Sequence, residues 1–503
     1  MSTRAALGRR RFLAAGGAAV ALAATGLRAN AKSVRTLPRP NIVVIVVDDM
    51  RFDEYGAGGH PYLETPHIDA LAAAGATFRN AYHTTPLCSP NRACILTGQY
   101  ASRHGIIDNT SRSYASHRLR TFARELQQAG YETAHVGKWH MGNDPTPRPG
   151  YDYWVSFAGQ GDITDPELFE DGRARRVPGY ITDLLTDRAI EFATRARSKP
   201  FMVYIGHKAI HPQILQRDDG TVDVSTSQGF VPADRHRGRY AGKTFARRAN
   251  YGLSAQDRAG KPVLAAALEA KQSGDIQRGF GAEVLDEQVS EATIQSRAEM
   301  MLAVDEGLGR LRAALEEKAL LENTLFVFMS DNGSFFGEHG LSVERRFPYE
   351  ESIKSPLIVA HQGAIEPGRR IDAFALSIDI APTLLEAAGA PIPRSMQGRS
   401  LLPHALGKRA RSRDAFLVEY YGHENPFPWI ANIDYRAVRL GRYKYIRWIR
   451  EDEAHELYDL EADPFELRNL AADPAHAKTV ARARSTLASL VLGSLGLPTT
   501  QPL

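Results

Sequence analysis

Only two of the 503 residues are cysteine, Cys88 and Cys94. One cysteine pair is too little for a disulfide framework in a chain of this size, so stability must come from a large hydrophobic core. The two cysteines lie six positions apart in a segment of helical character, where they point to different faces. We therefore expect no disulfide between them and predict that Cys94 is a buried packing residue.

After residue 31, the chain has no large excess of basic or acidic residues. Residues 1–31 contain five arginines and no acidic residue, so their removal from the 62 basic residues leaves 57 against 58 acidic ones. A nearly neutral protein lacks the basic surface that general nucleic-acid binding requires. We therefore predict no nucleic-acid partner.

No apolar run is long enough to cross a membrane comfortably. The nearest candidate follows the arginine-rich residues 9–13 and continues uncharged to Leu27, before a small-residue cleavage signal at 29–31. This order predicts an export signal over residues 1–31, and the arginines before Phe12 favour the twin-arginine route. An ordinary secretory signal or an uncleaved anchor is the alternative. We expect a periplasmic or secreted bacterial protein with no stable membrane anchor.

The hydrophobic pattern predicts an α/β fold with a mostly parallel central sheet and flanking helices. Continuous apolar runs at 41–47, 201–205, 324–329 and 357–360 are typical of strands buried on both faces. Helical patterns lie between them at 67–74, 119–129, 184–196 and 298–318. This main domain spans 40–405, and its polar, Gly-rich stretch 213–295 is interpreted as a long insertion.

The last part of the chain predicts a separate α+β subdomain over 411–503. Short aromatic or β-branched stretches at 416–421, 435–440, 443–448 and 456–458 indicate a small antiparallel sheet. Gly441-Arg442 suits a hairpin turn between the second and third of these stretches. A helix is predicted over 475–492.

Two polar pairs follow predicted strands directly, Asp48-Asp49 after 41–47 and Asp331-Asn332 after the strand that begins at Thr324. The carboxyl ends of parallel strands meet at one edge of a sheet, where ligands bind in such folds. Carboxylate and amide oxygens suit a hard divalent cation, Ca²⁺ or Mg²⁺. A single such pair is more often a helix cap or a turn.

The segment 88–92 reads C-S-P-N-R and is predicted to open a helix, with Pro90 in the first turn. Cys88 and Arg92 then lie four apart on one face, beside the free N–H groups of the helix N-terminus. Such a terminus favours an anion, and Arg92 adds a fixed cationic group. Without these neighbours, Arg92 would be read as an ordinary surface ion pair.

Three further segments supply candidate polar side chains. Lys138 and His140 follow a predicted strand at 132–136, and His211 follows the strand 201–205. Arg345 precedes the sequence Y-E-E-S at 349–352. Taken alone, such residues are more often solvated loop residues.

With these motifs in place, the chain closely resembles the type I sulfatases of the alkaline phosphatase superfamily. The resemblance rests on C-S-P-N-R-A at 88–93 with L-T-G at 96–98, G-K-W-H at 137–140, S-D-N-G at 330–333, and G-E-H-G-L at 337–341 before Y-E-E-S. It covers almost the whole chain after residue 40. It implies an alkaline phosphatase-like fold and a sulfatase catalytic domain over 40–405.

The resemblance also implies the chemistry of the site. Cys88 would be oxidised to formylglycine by a formylglycine-generating enzyme, and the aldehyde hydrate would be the nucleophile. It implies a Ca²⁺ site, with Mg²⁺ as the other candidate ion. The implied ligands are Asp48, Asp49, the residue derived from Cys88, Asp331 and Asn332. The implied catalytic residues are Cys88, Arg92, Lys138, His140, His211 and Arg345, of which three cations bind sulfate and two histidines transfer protons.

The chain departs from the family pattern at two positions. Ile210 stands where proline is usual, and arginine replaces the sulfate-binding lysine, with Arg345 slightly favoured over Arg346. The implied function is a sulfuric ester hydrolase acting on a sulfated carbohydrate, and the chain looks most like bacterial relatives of glucosamine-6-sulfatases. The alternatives are a phosphodiesterase or phosphonate monoester hydrolase of the same superfamily, and an inactive binder of sulfated glycans.

Overall fold

A computed structural model describes residues 39–252, 260–266, 289–342, 345–422, 433–450 and 454–497. Its strands are β1 Asn41–Val47, β2 Ala76–Phe78, β3 Ala81–Tyr82, β4 Glu132–Gly137, β5 Tyr153–Ser156, β6 Glu167–Glu170, β7 Arg173–Arg176, β8 Phe201–Gly206, β9 Leu215–Gln216, β10 Val222–Asp223, β11 Thr324–Ser330, β12 Leu357–Ala360, β13 Arg369–Ile371, β14 Ala375–Leu376, β15 Ala415–Tyr420, β16 Tyr435–Leu440, β17 Tyr443–Trp448 and β18 His455–Asp459. Its helices are α1 Pro66–Ala74, α2 Cys88–Thr97, α3 Ala101–His104, α4 Ser113–His117, α5 Phe122–Gln128, α6 Ile181–Ala193, α7 Glu291–Glu317, α8 Glu350–Ile353, α9 Ile380–Ala387, α10 Leu402–Ala405 and α11 Ala477–Leu495. The predicted export signal lies outside the described residues.

A ten-stranded sheet forms the centre of the main domain, in the order β13-β2-β12-β11-β1-β8-β4-β5-β6-β7. The five adjacent strands β11, β1, β8, β4 and β5 run parallel to one another. This arrangement confirms the predicted α/β class with a mostly parallel sheet. It also brings the carboxyl ends of four adjacent strands, β11, β1, β8 and β4, to the same edge.

Both faces of the sheet are covered, which explains the continuous apolar runs. Along β1, Val43 and Ile45 pack on the side of α1, α6 and α7, whereas Val44 and Val46 pack on the side of α2, α5 and α9. All of these side chains are buried. No helix in the described part of the chain is both long and apolar enough to span a membrane.

The C-terminal part forms a four-stranded antiparallel sheet, β15 to β18 in sequence order, as predicted. Gly441 and Arg442 form the predicted turn between β16 and β17, and Gly441 adopts a positive φ of 54°, which glycine accommodates without strain. Helix α11 packs on this sheet through Val480, Ala483 and Leu487.

Two predictions about individual elements are wrong in detail. The run Leu357–Ala360 was grouped with the parallel strands, but β12 runs antiparallel to both β11 and β2. Helix α7 begins at Glu291 rather than at 298, because the Ser290 side chain caps it by accepting a hydrogen bond from Thr293 N. The predicted insertion 213–295 therefore contains the start of α7 as well as β9 and β10, while its residues 253–259 and 267–288 lie outside the described part.

Candidate active site

The two polar pairs meet at the carboxyl edge of the sheet. Val47 at the end of β1 is level with Ser330 at the end of β11, so Asp48-Asp49 and Asp331-Asn332 leave the sheet side by side. Asp49 N donates a hydrogen bond to Asp331 Oδ1 at 3.1 Å, and Asn332 Nδ2 donates to Asp49 Oδ1 at 2.6 Å. The register between the parallel strands β1 and β11 thus brings these four polar residues together in one cluster.

Cys88 is the first residue of α2 and lies within the same cluster. Its Sγ is 3.9 Å from Asp49 Oδ1, and ligand atoms of Asp48, Cys88 and Asp331 all lie within 4.8 Å of one another. Burial, together with the charge of Asp48, raises the pKa of the Cys88 thiol well above its ordinary value. The unmodified side chain is therefore a protonated thiol and a poor nucleophile.

The donor atoms of this cluster fit a hard divalent cation. Asp48 Oδ1 and Asn332 Oδ1 are buried and have no hydrogen-bond partner among the described residues. Burial raises the pKa of Asp331 to about 7, with the nearby Asp48 adding to the effect, and burial also raises the pKa of Asp49. Unsatisfied oxygens and crowded carboxylates are the surroundings in which Ca²⁺ or Mg²⁺ binds.

Three buried cationic side chains contact the three carboxylates. Arg92 Nε donates to Asp331 Oδ2 at 2.8 Å. Lys138 Nζ donates to Asp48 Oδ2. Arg345 Nη1 donates to the remaining carboxylate, Oδ2 of Asp49, at 2.7 Å.

These cations also set the ionisation of the cluster. Burial alone would raise the pKa of Asp48, but Lys138, His211 and Arg92 together hold it well below its ordinary range. Asp48 is therefore ionised. The cluster thus keeps at least one carboxylate available to a cation.

His211 is held over the cluster by backbone contacts. Asp48 N donates to Ala209 O, and Ile210 N donates to Asp48 O, both at 2.8 Å, which joins this loop to the end of β1. His211 Nδ1 donates to Pro212 O at 2.8 Å, and its Nε2 lies 3.3 Å from Arg345 Nη2. Burial, with Lys138 adding to it, lowers the pKa of His211 well below its ordinary value.

His140 lies beside Ser89, the residue that follows Cys88. Its Nδ1 is 3.5 Å from Ser89 Oγ, and its Nε2 is 2.8 Å from Gln216 Oε1. Burial, again with Lys138 adding to it, lowers the pKa of His140 well below its ordinary value. All ten residues predicted from the sequence are therefore buried in one connected cluster.

Three further polar residues join the cluster without having been predicted as site residues. Gln160 Oε1 accepts from Lys138 Nζ at 2.6 Å, and Gln160 Nε2 donates to Gln216 Oε1 at 2.9 Å. Lys208 is fully buried, and its Nζ donates to Pro212 O at 3.4 Å. Burial, with Lys138 adding to it, lowers the pKa of Lys208 to about 7. No motif marks Gln160 or Gln216 in the sequence.

Comparisons with known proteins agree with this arrangement. A family model described as Sulfatase matches residues 40–390, and one described as N-sulphoglucosamine sulphohydrolase, C-terminal, matches residues 337–492. An N-acetylglucosamine-6-O-sulfatase of Bacteroides thetaiotaomicron is 32% identical over 492 residues, which cover 88% of this chain and 84% of that protein. A multifunctional alkaline phosphatase superfamily protein of Trinickia caryophylli is 29% identical, over 88% of this chain and 93% of that protein. A solved structure in complex with its substrate D-glucosamine-2-N,6-O-disulfate matches with a TM-score of 0.76 and 29% identity, over 91% of this chain and 98% of that chain.

Proposed function

This chain belongs to the sulfatase family, and from that premise we propose that it removes sulfate from a sugar of the N-acetylglucosamine-6-sulfate type. The observation that carries the proposal is the meeting of Cys88 with Asp48 and Asp331, whose ligand atoms lie within 4.8 Å of one another. The sugar class is supported by the similar N-acetylglucosamine-6-O-sulfatase and by the similar structure that holds a glucosamine disulfate.

Two groups that the genetic code does not supply would complete the site. Ca²⁺, or Mg²⁺ in its place, would be held by Asp48, Asp49, Asp331, Asn332 and the oxidised side chain at position 88, and would offset the negative charge of a sulfate ester. Formylglycine made from Cys88 would supply a hydrated aldehyde as nucleophile, whose second hydroxyl allows sulfate to leave without a second attack by water.

The chain's own cations would bind the sulfate oxygens. Arg92, Lys138 and Arg345 are each fixed by a carboxylate of the cation site, so their charges stand beside position 88 before substrate arrives. Such preorganised charge stabilises a transition state because no reorganisation is needed during the reaction. Asp331 is the proposed acceptor of the attacking hydroxyl's proton, and His211 the proposed donor to the departing alcohol oxygen.

Burial of Cys88 bears on maturation. The side chain is completely enclosed at the start of α2, so a formylglycine-generating enzyme must reach it before the protein folds. Conversion in the cytoplasm followed by export of the folded protein through the twin-arginine route is consistent with this requirement. The mature enzyme would then act in the periplasm or outside the cell.

Gln216 is proposed to position His140. Gln216 Nε2 donates to Gly220 O at 2.8 Å, so its Oε1 faces the Nε2 of His140 and accepts the proton that this nitrogen carries. His140 then keeps a lone pair on Nδ1, which lies near Ser89, the residue after position 88. With the proton fixed on Nε2, Nδ1 can assist deprotonation of the hydrate.

Replacing Gln216 by methionine is expected to lower kcat roughly 10- to 100-fold with little change in KM, because His140 loses the acceptor that fixes its tautomer. Gln216→Glu keeps an acceptor and is expected to lose less. Steady-state kinetics of the two variants provide the measurement. Equal losses in both, or an effect confined to KM, would contradict the positioning role.

The substrate proposal predicts selectivity for sulfate at position 6. Sulfate release from glucosamine 6-sulfate is expected to exceed that from the 2-N- and 3-O-sulfates by roughly 10²-fold or more in kcat/KM, because a site built around one ester position leaves polar groups unpaired with the others. Ion chromatography of released sulfate across such a panel is the measurement.

Glucosamine 6-phosphate is the matched control for that panel. The multifunctional superfamily relative makes phosphoryl transfer the second candidate. Faster hydrolysis of the 6-phosphate than of the 6-sulfate would favour a phosphatase, and preference for another sulfate position would overturn the sugar assignment.

A further inference from the structure

A group of cationic side chains lines the junction between α11 and the segment that leads into β15. Two adjoining clefts of about 410 and 600 Å³ share Arg413, Asp414, Leu440 and Arg482 in their walls. We call the two clefts together the basic groove. Its other cations are Arg399, Arg411, Arg442 and Lys478.

Most of this positive charge is not neutralised by the protein. Arg413 pairs with Asp379, and Arg442 pairs with Asp459. By contrast, Arg399, Arg411, Arg482 and Lys478 take part in no ion pair among the described residues, and Asp414 is the one acidic residue in the groove wall.

Several of these cations lie close enough to repel one another. Loss of solvation, with the charges of Arg413 and Arg411, lowers the pKa of Arg399 below its ordinary value, although Asp379 acts in the opposite direction. Asp379 balances only part of this positive charge, and neighbouring like charges destabilise one another, so a bound anion would relieve the repulsion.

We infer that the basic groove binds a sulfated polysaccharide chain at a second site, separate from the active site. Guanidinium groups match sulfate oxygens with paired hydrogen bonds. The groove also offers the hydroxyl of Thr486 and the ring of Tyr443, groups that contact sugar hydroxyls and sugar faces. The volume of each cleft exceeds that of one inorganic anion, which favours a chain carrying several sulfates.

The groove lies one helix away from Cys88. Helix α2 has ten residues, about 15 Å, with Cys88 at its first position. Gly98 follows its last turn, and its carbonyl accepts a hydrogen bond from Gln397, a residue of the groove wall, at 2.7 Å. A polymer held there would be retained near the active site while its sulfated end is processed.

The test measures binding directly, so its result does not depend on the proposed substrate being correct. All proteins carry Cys88→Ala to prevent turnover, and affinity for a heparin octasaccharide is measured by calorimetry. The test variant combines Arg399→Gln, Arg411→Gln and Arg482→Gln. The control combines Arg124→Gln, Arg173→Gln and Arg370→Gln, which removes the same charge from exposed arginines that have no ion pair in the described part of the chain.

The test variant is expected to bind the octasaccharide roughly tenfold more weakly or worse, with a smaller dependence on salt, whereas the control retains its affinity. Unchanged affinity in the test variant, or equal losses in both variants, would overturn the inference. Inorganic sulfate bound as tightly as the octasaccharide would show a small-anion site only, and single-stranded DNA bound equally well would show unselective polyanion binding; either result also overturns it.

Discussion

Replacing Cys88 by alanine is expected to lower the hydrolysis of sulfate esters by roughly 10³-fold or more, because alanine cannot be oxidised to the aldehyde that acts as nucleophile. The fold is expected to survive, since the change removes only one sulfur atom from a buried site at the start of α2. Loss of that atom costs about 1 kcal/mol of stability through the small cavity it leaves. Sulfate release and thermal unfolding of the same preparation provide the measurements.

Cys94 is the matched control for this experiment. It lies on the same helix, is equally buried and unpaired, and has its Sγ 3.3 Å from His104 Nε2, away from the acidic cluster. Cys94→Ala is expected to keep its turnover with a comparable loss of stability. Full activity in Cys88→Ala would end the proposed mechanism, and an equal loss of activity in Cys94→Ala would show that the effect is structural.

Mass spectrometry of the peptide that contains position 88 complements the variants. Conversion to formylglycine replaces the thiol and one hydrogen by oxygen, so the converted peptide is lighter than the encoded one. An unconverted peptide from fully active enzyme would contradict the role of formylglycine. An unconverted peptide from inactive protein would instead favour the sulfated-glycan binder.

The main elements of the fold could be predicted because a strand that is buried on both faces appears in the sequence as a continuous run of apolar residues. β1 and β12 match the predicted ranges 41–47 and 357–360, and β16 and β17 match theirs. The direction of β12 could not be predicted, because an apolar run is the same whether its strand runs parallel or antiparallel. The start of α7 was misplaced because its first turns are polar and lie in a stretch interpreted as an insertion.

Some residues of the candidate site could likewise be predicted from the sequence, and others could not. Asp48, Cys88 and Asp331 could be predicted to meet because strand ends and one helix start place them at one sheet edge. Gln160 and Gln216 could not, since each lies outside the recognisable motifs and reaches the site through a contact distant in the chain, 22 positions for Gln160 with Lys138 and 76 for Gln216 with His140. Their amide groups acquire a function only when the loop after β5 and strand β9 meet beside Lys138 and His140.

Removing the bound cation is expected to abolish turnover reversibly and to lower the thermal stability of the protein. Without a cation, the buried carboxylates of Asp48, Asp49 and Asp331 crowd one another, and burial raises the pKa of Asp331 to about 7, with Asp48 adding to it. Adding Ca²⁺ at 100 times its dissociation constant is expected to stabilise the folded state by about 2.7 kcal/mol. Treatment with a chelator, followed by titration with Ca²⁺ while turnover and the unfolding temperature are recorded, tests this expectation.

Two matched variants separate the cation site from other buried acidic groups. Asp48→Asn keeps the shape of the side chain but removes a charge from the cluster, so the Ca²⁺ concentration for half-maximal recovery is expected to rise at least roughly tenfold. A second buried group, formed by His339, Glu351 and Glu466, is already neutralised in part by Lys444, and Glu351→Gln there is expected to leave the Ca²⁺ requirement unchanged. If Asp48→Asn responds to Ca²⁺ like the unaltered protein, or if Glu351→Gln removes the response, the cation does not bind between the two strand ends.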